Sequence, residues 1–297
     1  MTMKLEWMRG CATALVTPFK NDGSVDVKCL KKLTERQIEN GIKLLVPCGT
    51  TGESATMTPE EDSLVISTVV EIAKGRAKVI AGASNNDTAL TIRNAQKVRD
   101  LGADAALIAS PYYNKPTQEG LIAHYSAIAK ALEGFPIVLY NVPGRTASNI
   151  SAQTCVRLAQ MHENIVANKE ASGNFSQVME ILRDKPKDFA VFSGDDAITL
   201  PLIALGADGV TSVISNEFPF EFNSLVEACL AGNWDEAREI HYKFLALMEA
   251  NFCESSPAPC KFVMKEMGLL EENLRLPLVS ITDASRDKLR RILQDLR

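Results

Sequence analysis

The sequence predicts an α/β protein: a (β/α)8 TIM barrel followed by a C-terminal helical subdomain. Three observations point there. Eight short apolar runs recur between Cys11 and Val213, amphipathic segments with helix start and stop signals separate them, and 297 residues suit eight βα units with an addition.

The runs that read as strands are Cys11–Thr17, Leu44–Cys48, Lys78–Gly82, Ala105–Ala109, Ile137–Asn141, Ile165–Lys169, Phe189–Ser193 and Gly209–Val213. Their hydrophobicity is continuous rather than alternating, as in strands covered on both faces. Helix starts lie between them. Thr58-Pro59-Glu60-Glu61 supplies an N-cap, a proline for the first turn and first-turn acids, and Asp87 and Thr117 precede helical patterns in the same way. Stops fall at Asn40-Gly41, Gly75, Gly102, Gly134 and Gly206. The tetrapeptide Leu101-Gly102-Ala103-Asp104 recurs as Leu205-Gly206-Ala207-Asp208, each time a helix end feeding an apolar run. Strict βα alternation implies parallel strands with right-handed crossovers. A closed barrel is favoured over an open sheet because no G-x-G-x-x-G follows the first run. After Asn216 the alternation stops, and Phe220–Ala231, Trp234–Phe252, Cys260–Met267 and Ala284–Leu296 read as helices, broken at Ser255-Ser256-Pro257-Ala258-Pro259. The first completes the eighth unit. The expected division is therefore a catalytic barrel over 1–232 and a helical subdomain over 233–297 packed on it.

Composition narrows the function. Lys+Arg 32 against Asp+Glu 37 gives a net charge of −5 with no basic block, which argues against a nucleic-acid partner. No apolar run approaches the ~20 residues of a membrane span, and the first ten residues lack the apolar core of a secretory signal. Seven scattered cysteines without a C-x-x-C pair predict a reduced, cytoplasmic protein with buried free thiols. Three histidines, never at ligand spacing, argue against a zinc site.

Active sites of such barrels lie at the C-terminal strand ends. There the runs deliver Gly49-Thr50-Thr51-Gly52-Glu53, Ser110-Pro111-Tyr112-Tyr113-Asn114, Tyr140-Asn141-Val142-Pro143-Gly144-Arg145, Asn168-Lys169-Glu170 and Ser193-Gly194-Asp195-Asp196. Lys169 stands out because it ends an otherwise apolar strand. Burial disfavours an ammonium, and the neutral amine is the form that attacks a carbonyl to give a Schiff base; the alternative is a rim lysine paired with Glu170. Tyr140, on the neighbouring strand, is a proton carrier or a packed rim tyrosine. Arg145 is a carboxylate clamp or a solvated turn residue. The Gly-Thr-Thr-Gly segment is an anion nest with two hydroxyls or simply a βα turn.

Taken together with Tyr112-Tyr113-Asn114-Lys115-Pro116 and Lys169-Glu170-Ala171-Ser172-Gly173-Asn174, these segments resemble the dihydrodipicolinate synthase family, from about Gly10 to the C-terminus. The family belongs to a superfamily of Schiff-base lyases and aldolases that includes N-acetylneuraminate lyase. The resemblance implies a cytoplasmic lyase that condenses pyruvate with L-aspartate-4-semialdehyde to give 4-hydroxy-tetrahydrodipicolinate, in diaminopimelate and lysine biosynthesis. It implies a homotetramer, a dimer of dimers. By the same resemblance Lys169 forms the imine with pyruvate, Tyr140 moves protons, and Thr50 links Tyr140 to Tyr113 of a neighbouring subunit. Thr51, Gly194 and the Thr211 backbone would border the pyruvate, and Arg145 would receive the semialdehyde carboxylate. Relatives commonly carry an aliphatic side chain where Thr211 stands. No cofactor or metal is implied, because the protonated imine on Lys169 supplies the electrophile. The rival reading is a pyruvate-dependent lyase or aldolase acting on a sugar acid, and Arg145 in Pro-Gly-Arg-Thr speaks against it.

Two departures from the family pattern stand out. Its Asn-Pro-x-Pro-x-Lys reads Ser256-Pro257-Ala258-Pro259-Cys260-Lys261 here, an expected change of subunit or mouth contact. In the interface pocket where lysine-sensitive members bind their inhibitor, Ser54, Ala55, Asn86 and Tyr112 match, but the acidic residue expected for the α-ammonium is replaced by Leu90 and two histidines by Pro59 and Asp62. L-Lysine inhibition is therefore expected to be weak or absent.

Overall fold

The computed structural model describes residue 3 and residues 5–296. Eight parallel strands close into a barrel in sequence order: β1 (Gly10–Ala14), β2 (Leu44–Val46), β3 (Lys78–Gly82), β4 (Ala105–Ala109), β5 (Ile137–Asn141), β6 (Ile165–Glu170), β7 (Ala190–Ser193) and β8 (Gly209–Ser212). Between and after them run α1 (Val27–Glu39), α2 (Pro59–Ala73), α3 (Thr88–Asp100), α4 (Gln118–Ala131), α5 (Pro143–Thr146), α6 (Ala152–Met161), α7 (Phe175–Asp184), α8 (Thr199–Ala204), α9 (Pro219–Ala231), α10 (Trp234–Ala250), α11 (Ala258–Glu266) and α12 (Asp283–Asp295). Among the described residues no helix is long and apolar enough to cross a membrane.

The continuous hydrophobicity of the strands has a direct spatial reading. One parity, including Ala12, Leu44, Ile80, Leu107, Val138 and Phe192, fills the barrel interior. The other, including Cys11, Leu45, Val79, Ile108, Leu139 and Val191, packs under the helices. Met8, with Met3, Leu5 and Trp7 against it, joins the interior layer from the N-terminal strand ends.

Capping residues act where the sequence places them. Thr58 Oγ1 accepts from Glu61 N while the Glu61 carboxylate accepts from Thr58 N, a complete capping box at α2. Asp87 and Thr117 cap α3 and α4, and Gly41, Gly75, Gly102, Gly134 and Gly206 all adopt positive φ. Some boundaries differ from expectation. β2 stops at Val46 because Pro47 has no N–H and Cys48 has φ 56°. β1 ends at Ala14, after which Val16 N donates to Asn216 Oδ1 instead of extending the ladder. β7 starts at Ala190 because Phe189 N closes a turn on Pro186 O. α11 begins two residues early, accommodating Pro259 in its first turn. Helix α5, unseen as such in the sequence, covers the Pro-Gly-Arg-Thr segment. Five of the seven free cysteines are buried, whereas Cys29 is half-buried and Cys253 exposed, a partial correction of the buried-thiol expectation.

Beyond α9 the chain returns to the barrel. α10 packs against α9 and α8, α11 against the turn after β8, and α12 against both α10 and α11.

Candidate active site

The site begins with an irregularity between β5 and β6. Ile137 pairs with Ile165, but Val138 pairs with Ala167, leaving Val166 as one extra residue. Side chains alternate across a strand, so one inserted residue moves every later side chain to the other face. Val166 and Ala167 both join the interior, and Lys169 pairs with Tyr140 on one side and Phe192 on the other, both interior residues. Lys169 Nζ lies 4.3 Å from the centroid of the Tyr140 ring, and the two residues are only 7% and 6% exposed. In its ammonium form the group is attracted by the face of the ring. Gly194 makes room beside it. A Cβ there would stand 2.6 Å from Ala171 Cβ and 3.2 Å from Lys169 Cε, so a larger residue would displace the lysine stem.

The other expected residues stand at or after the C-terminal ends of their strands. Thr211 lies on β8 opposite interior Ala12 and is buried. Thr51 is buried and Thr50 exposed in the turn after β2. That turn is fixed by Thr17 Oγ1 donating to Gly52 O (2.7 Å) and by the close approach of β3: a Cβ on Gly82 would meet Cys48 O at 1.9 Å. Arg145 is exposed on α5. Tyr113 sits at φ 72° and is 88% exposed, so its ring is not packed against its own barrel. The expected alternative of a Lys169–Glu170 pair is corrected here. Glu170 faces the helix layer and accepts from amides (Asn141 Nδ2 at 3.0 Å, for example), because strand alternation turns it away from Lys169.

Residues 7–296 match the Dihydrodipicolinate synthetase family. The chain belongs to that family. A 4-hydroxy-tetrahydrodipicolinate synthase of Koribacter versatilis is 53% identical over 286 residues, covering 96% of this chain and 95% of that one. The dihydrodipicolinate synthase of Acinetobacter baumannii, whose crystal structure is a complex with pyruvate, superposes with a TM-score of 0.95 at 42% identity, covering 97% of this chain and 99% of that one. That of Cyanidioschyzon merolae, solved with lysine bound, gives 0.95 and 42% over 98% and 99%.

In this member of the dihydrodipicolinate synthase family, three features of the site were not read from the sequence. The first is the amide network around Glu170. The second joins the turn after β2 to the C-terminal helices. Glu53, at φ 55°, forms a fully buried ion pair with Lys261, whose ammonium also donates to Asn273 O (2.9 Å). The departing Ser256–Lys261 segment therefore retains the lysine that anchors the Thr50-Thr51 turn. The third is Asp196, fully buried, whose Oδ2 accepts from Val213 N (3.0 Å) and Ile214 N (2.9 Å) and so ties the end of β7 to the end of β8. Burial pushes its carboxyl up to about 6, against the lowering effect of those hydrogen bonds. The sequence signals were present but mute: an acid directly after an apolar strand reads equally as a solvated rim residue. A cleft of about 980 Å3, bordered by Trp7, Arg9, Lys43 and Lys78, opens at the N-terminal strand ends, away from Lys169. Ligand chemistry in this fold belongs to the other end.

Proposed function

We propose that the chain is a 4-hydroxy-tetrahydrodipicolinate synthase that works through an imine on Lys169. The carrying observation is the bulge-directed Lys169, buried and poised over the Tyr140 ring at 4.3 Å. The amine of Lys169 adds to C2 of pyruvate, and loss of water leaves a protonated imine. That imine withdraws electrons from the methyl group, which loses a proton to become an enamine. The enamine carbon attacks the aldehyde of L-aspartate-4-semialdehyde. The amine of the new chain then attacks the imine carbon, closes the ring and releases Lys169.

Protons move at several of these steps, which favours a relay over one isolated base. Tyr140 is its first member, and Thr50 passes protons to Tyr113 from a second copy of the chain. The high exposure of Tyr113 in the single chain supports its use in trans, within the proposed homotetramer. Thr51, Gly194 and Thr211 border the pyruvate, and Arg145 on α5 meets the semialdehyde carboxylate as it enters. Seven unpaired cysteines support a cytoplasmic setting.

The test is a trapping experiment. Wild-type protein incubated with pyruvate and borohydride gains the mass of one reduced pyruvate adduct, and Lys169→Ala gains none while keeping its circular dichroism spectrum. An adduct on the variant would assign the nucleophile to another lysine.

A further inference from the structure

Glu170 presents two acceptor oxygens to neutral donors on every side. Asn141 Nδ2 donates to both (3.0 and 3.1 Å), Ser172 N to Oε1 (2.9 Å), and Asn168 Nδ2 and Gln177 Nε2 to Oε2 (3.2 and 3.3 Å). The carboxylate is 1% exposed, and Asn141 and Asn168 are fully buried. Asn141 completes a further set of contacts: its Oδ1 accepts from Ile150 N (2.9 Å) and its Nδ2 also donates to Asn149 Oδ1 (2.9 Å), while Asn149 Nδ2 donates to Gln177 Oε1 (2.9 Å).

The position of this hub gives it meaning. Tyr140 pairs with Lys169 across the β5–β6 ladder, and the next rung is Asn141 with Glu170. The reacting pair thus faces the interior, and one residue further on the clamp faces the helices. A bulge earlier in the same ladder offsets the register, and the pairing that resumes at Val138–Ala167 runs for only a few rungs, so a side-chain tie on the last rung would reinforce the alignment of Lys169 with Tyr140. The Asn141–Glu170 rung does this from the other face. Through Asn149 and Ile150 it also anchors the chain that leaves α5, the helix carrying Arg145.

We infer that Glu170 is a positioning residue for the reaction: its carboxylate fixes the strand ends that carry Lys169 and Tyr140, with the Arg145 segment tied to the same hub. This rests on Lys169 being the imine-forming residue. A glutamine is the informative replacement because it has nearly the same shape, yet it turns one acceptor oxygen into an N–H group aimed at two or three buried donors. A shift of the reacting groups by about 1 Å costs up to roughly 100-fold in rate.

The experiment compares wild type, Glu170→Gln and Glu170→Asp by steady-state kinetics, by the single-turnover rate of the borohydride-trapped pyruvate adduct, and by thermal unfolding. Rates are measured well below each variant's midpoint. Glu170→Gln should lower kcat and the trapping rate about 10- to 100-fold, with the pyruvate KM changed by less than about threefold. Glu170→Asp keeps two acceptor oxygens and should recover at least about tenfold over the glutamine variant. Should Glu170→Gln not fold, Gln177→Met, which deletes one donor on the helix side, carries the test through the same kcat-selective loss. A purely structural role would lower the unfolding midpoint and leave the rate of the folded enzyme unchanged, overturning the inference. So would a wild-type trapping rate in Glu170→Gln, or an aspartate variant no better than the glutamine one. Absence of an adduct in the wild type itself would instead remove the reading of Lys169 on which the inference rests.

Discussion

Arg145 illustrates what a single side chain contributes beyond its charge. Helix α5 is one turn long, starts at Pro143 and ends with Ala147 at φ 55°, so the arginine leaves a short, rigid platform rather than a slack loop. A guanidinium presented in this way suits bidentate capture of a carboxylate. Arg145→Ala should therefore raise the KM for L-aspartate-4-semialdehyde while leaving the single-turnover trapping of pyruvate at the wild-type rate. Loss of such a contact costs about 2 kcal/mol or more, roughly a thirtyfold fall in kcat/KM for the aldehyde. Steady-state kinetics with each substrate varied in turn decide it. An unchanged semialdehyde KM would show that Arg145 does not receive that carboxylate.

At the level of elements, the strand ends are joined by buried polar groups whose ionisation has a stability consequence. Asp196 connects the end of β7 to the residues after β8, and burial raises its carboxyl from an ordinary 3.8 to about 6. Between those values the folded protein holds a proton that the unfolded chain has released. Stability contributed at this position is thus intact below about pH 4 and falls as pH rises toward 6, by about 3 kcal/mol in all for a two-unit shift in a fully buried group. Asp196→Asn keeps an oxygen for the Val213 and Ile214 amides and removes the titration. Urea unfolding of both proteins from pH 4 to pH 7 should show the variant gaining on the wild type as pH rises. Parallel profiles would show that Asp196 does not titrate in this range.

For the whole molecule, the question is what one chain leaves incomplete. Tyr113 is 88% exposed at a positive φ, an unfavourable place for a large aromatic ring unless another surface covers it. Mixed assemblies of Tyr113→Phe and Lys169→Ala subunits, each expected to be inactive alone, should regain activity, because one site in a hybrid pair combines an intact lysine with an intact tyrosine. Verified hybrids without activity would place Tyr113 outside the relay of a neighbouring subunit. A bound lysine brings two ammoniums and a carboxylate, each needing a partner out of water. Leu90 offers none, and the Asp62 carboxyl, pushed up to about 6 by burial, is a poorer counter-charge than an exposed acid. Rates at saturating pyruvate should fall by half only above about 1 mM L-lysine. Inhibition below that would reveal contacts beyond these residues.

The eight-unit barrel, the helix starts at Thr58, Asp87 and Thr117, and the set of side chains delivered to one end were all legible in the order of residues. These follow from local rules: an apolar run long enough for a strand, a capping side chain, a glycine where φ must be positive. Lys169 was legible as a lysine ending an apolar strand, but its direction was not. Counted from Ile165 without interruption, strand parity pairs Lys169 with Asn141 and turns it toward the helices; the extra residue Val166 reverses that and places it over Tyr140. A bulge depends on how two strands meet, and nothing in the five residues Ile165–Lys169 specifies it. The roles of Glu170, Lys261 and Asp196 were hidden for a related reason. Their partners lie 29, 208 and 17 residues away in the chain, and whether an acid or a lysine is solvated or buried against such a partner is decided only when the distant segments pack.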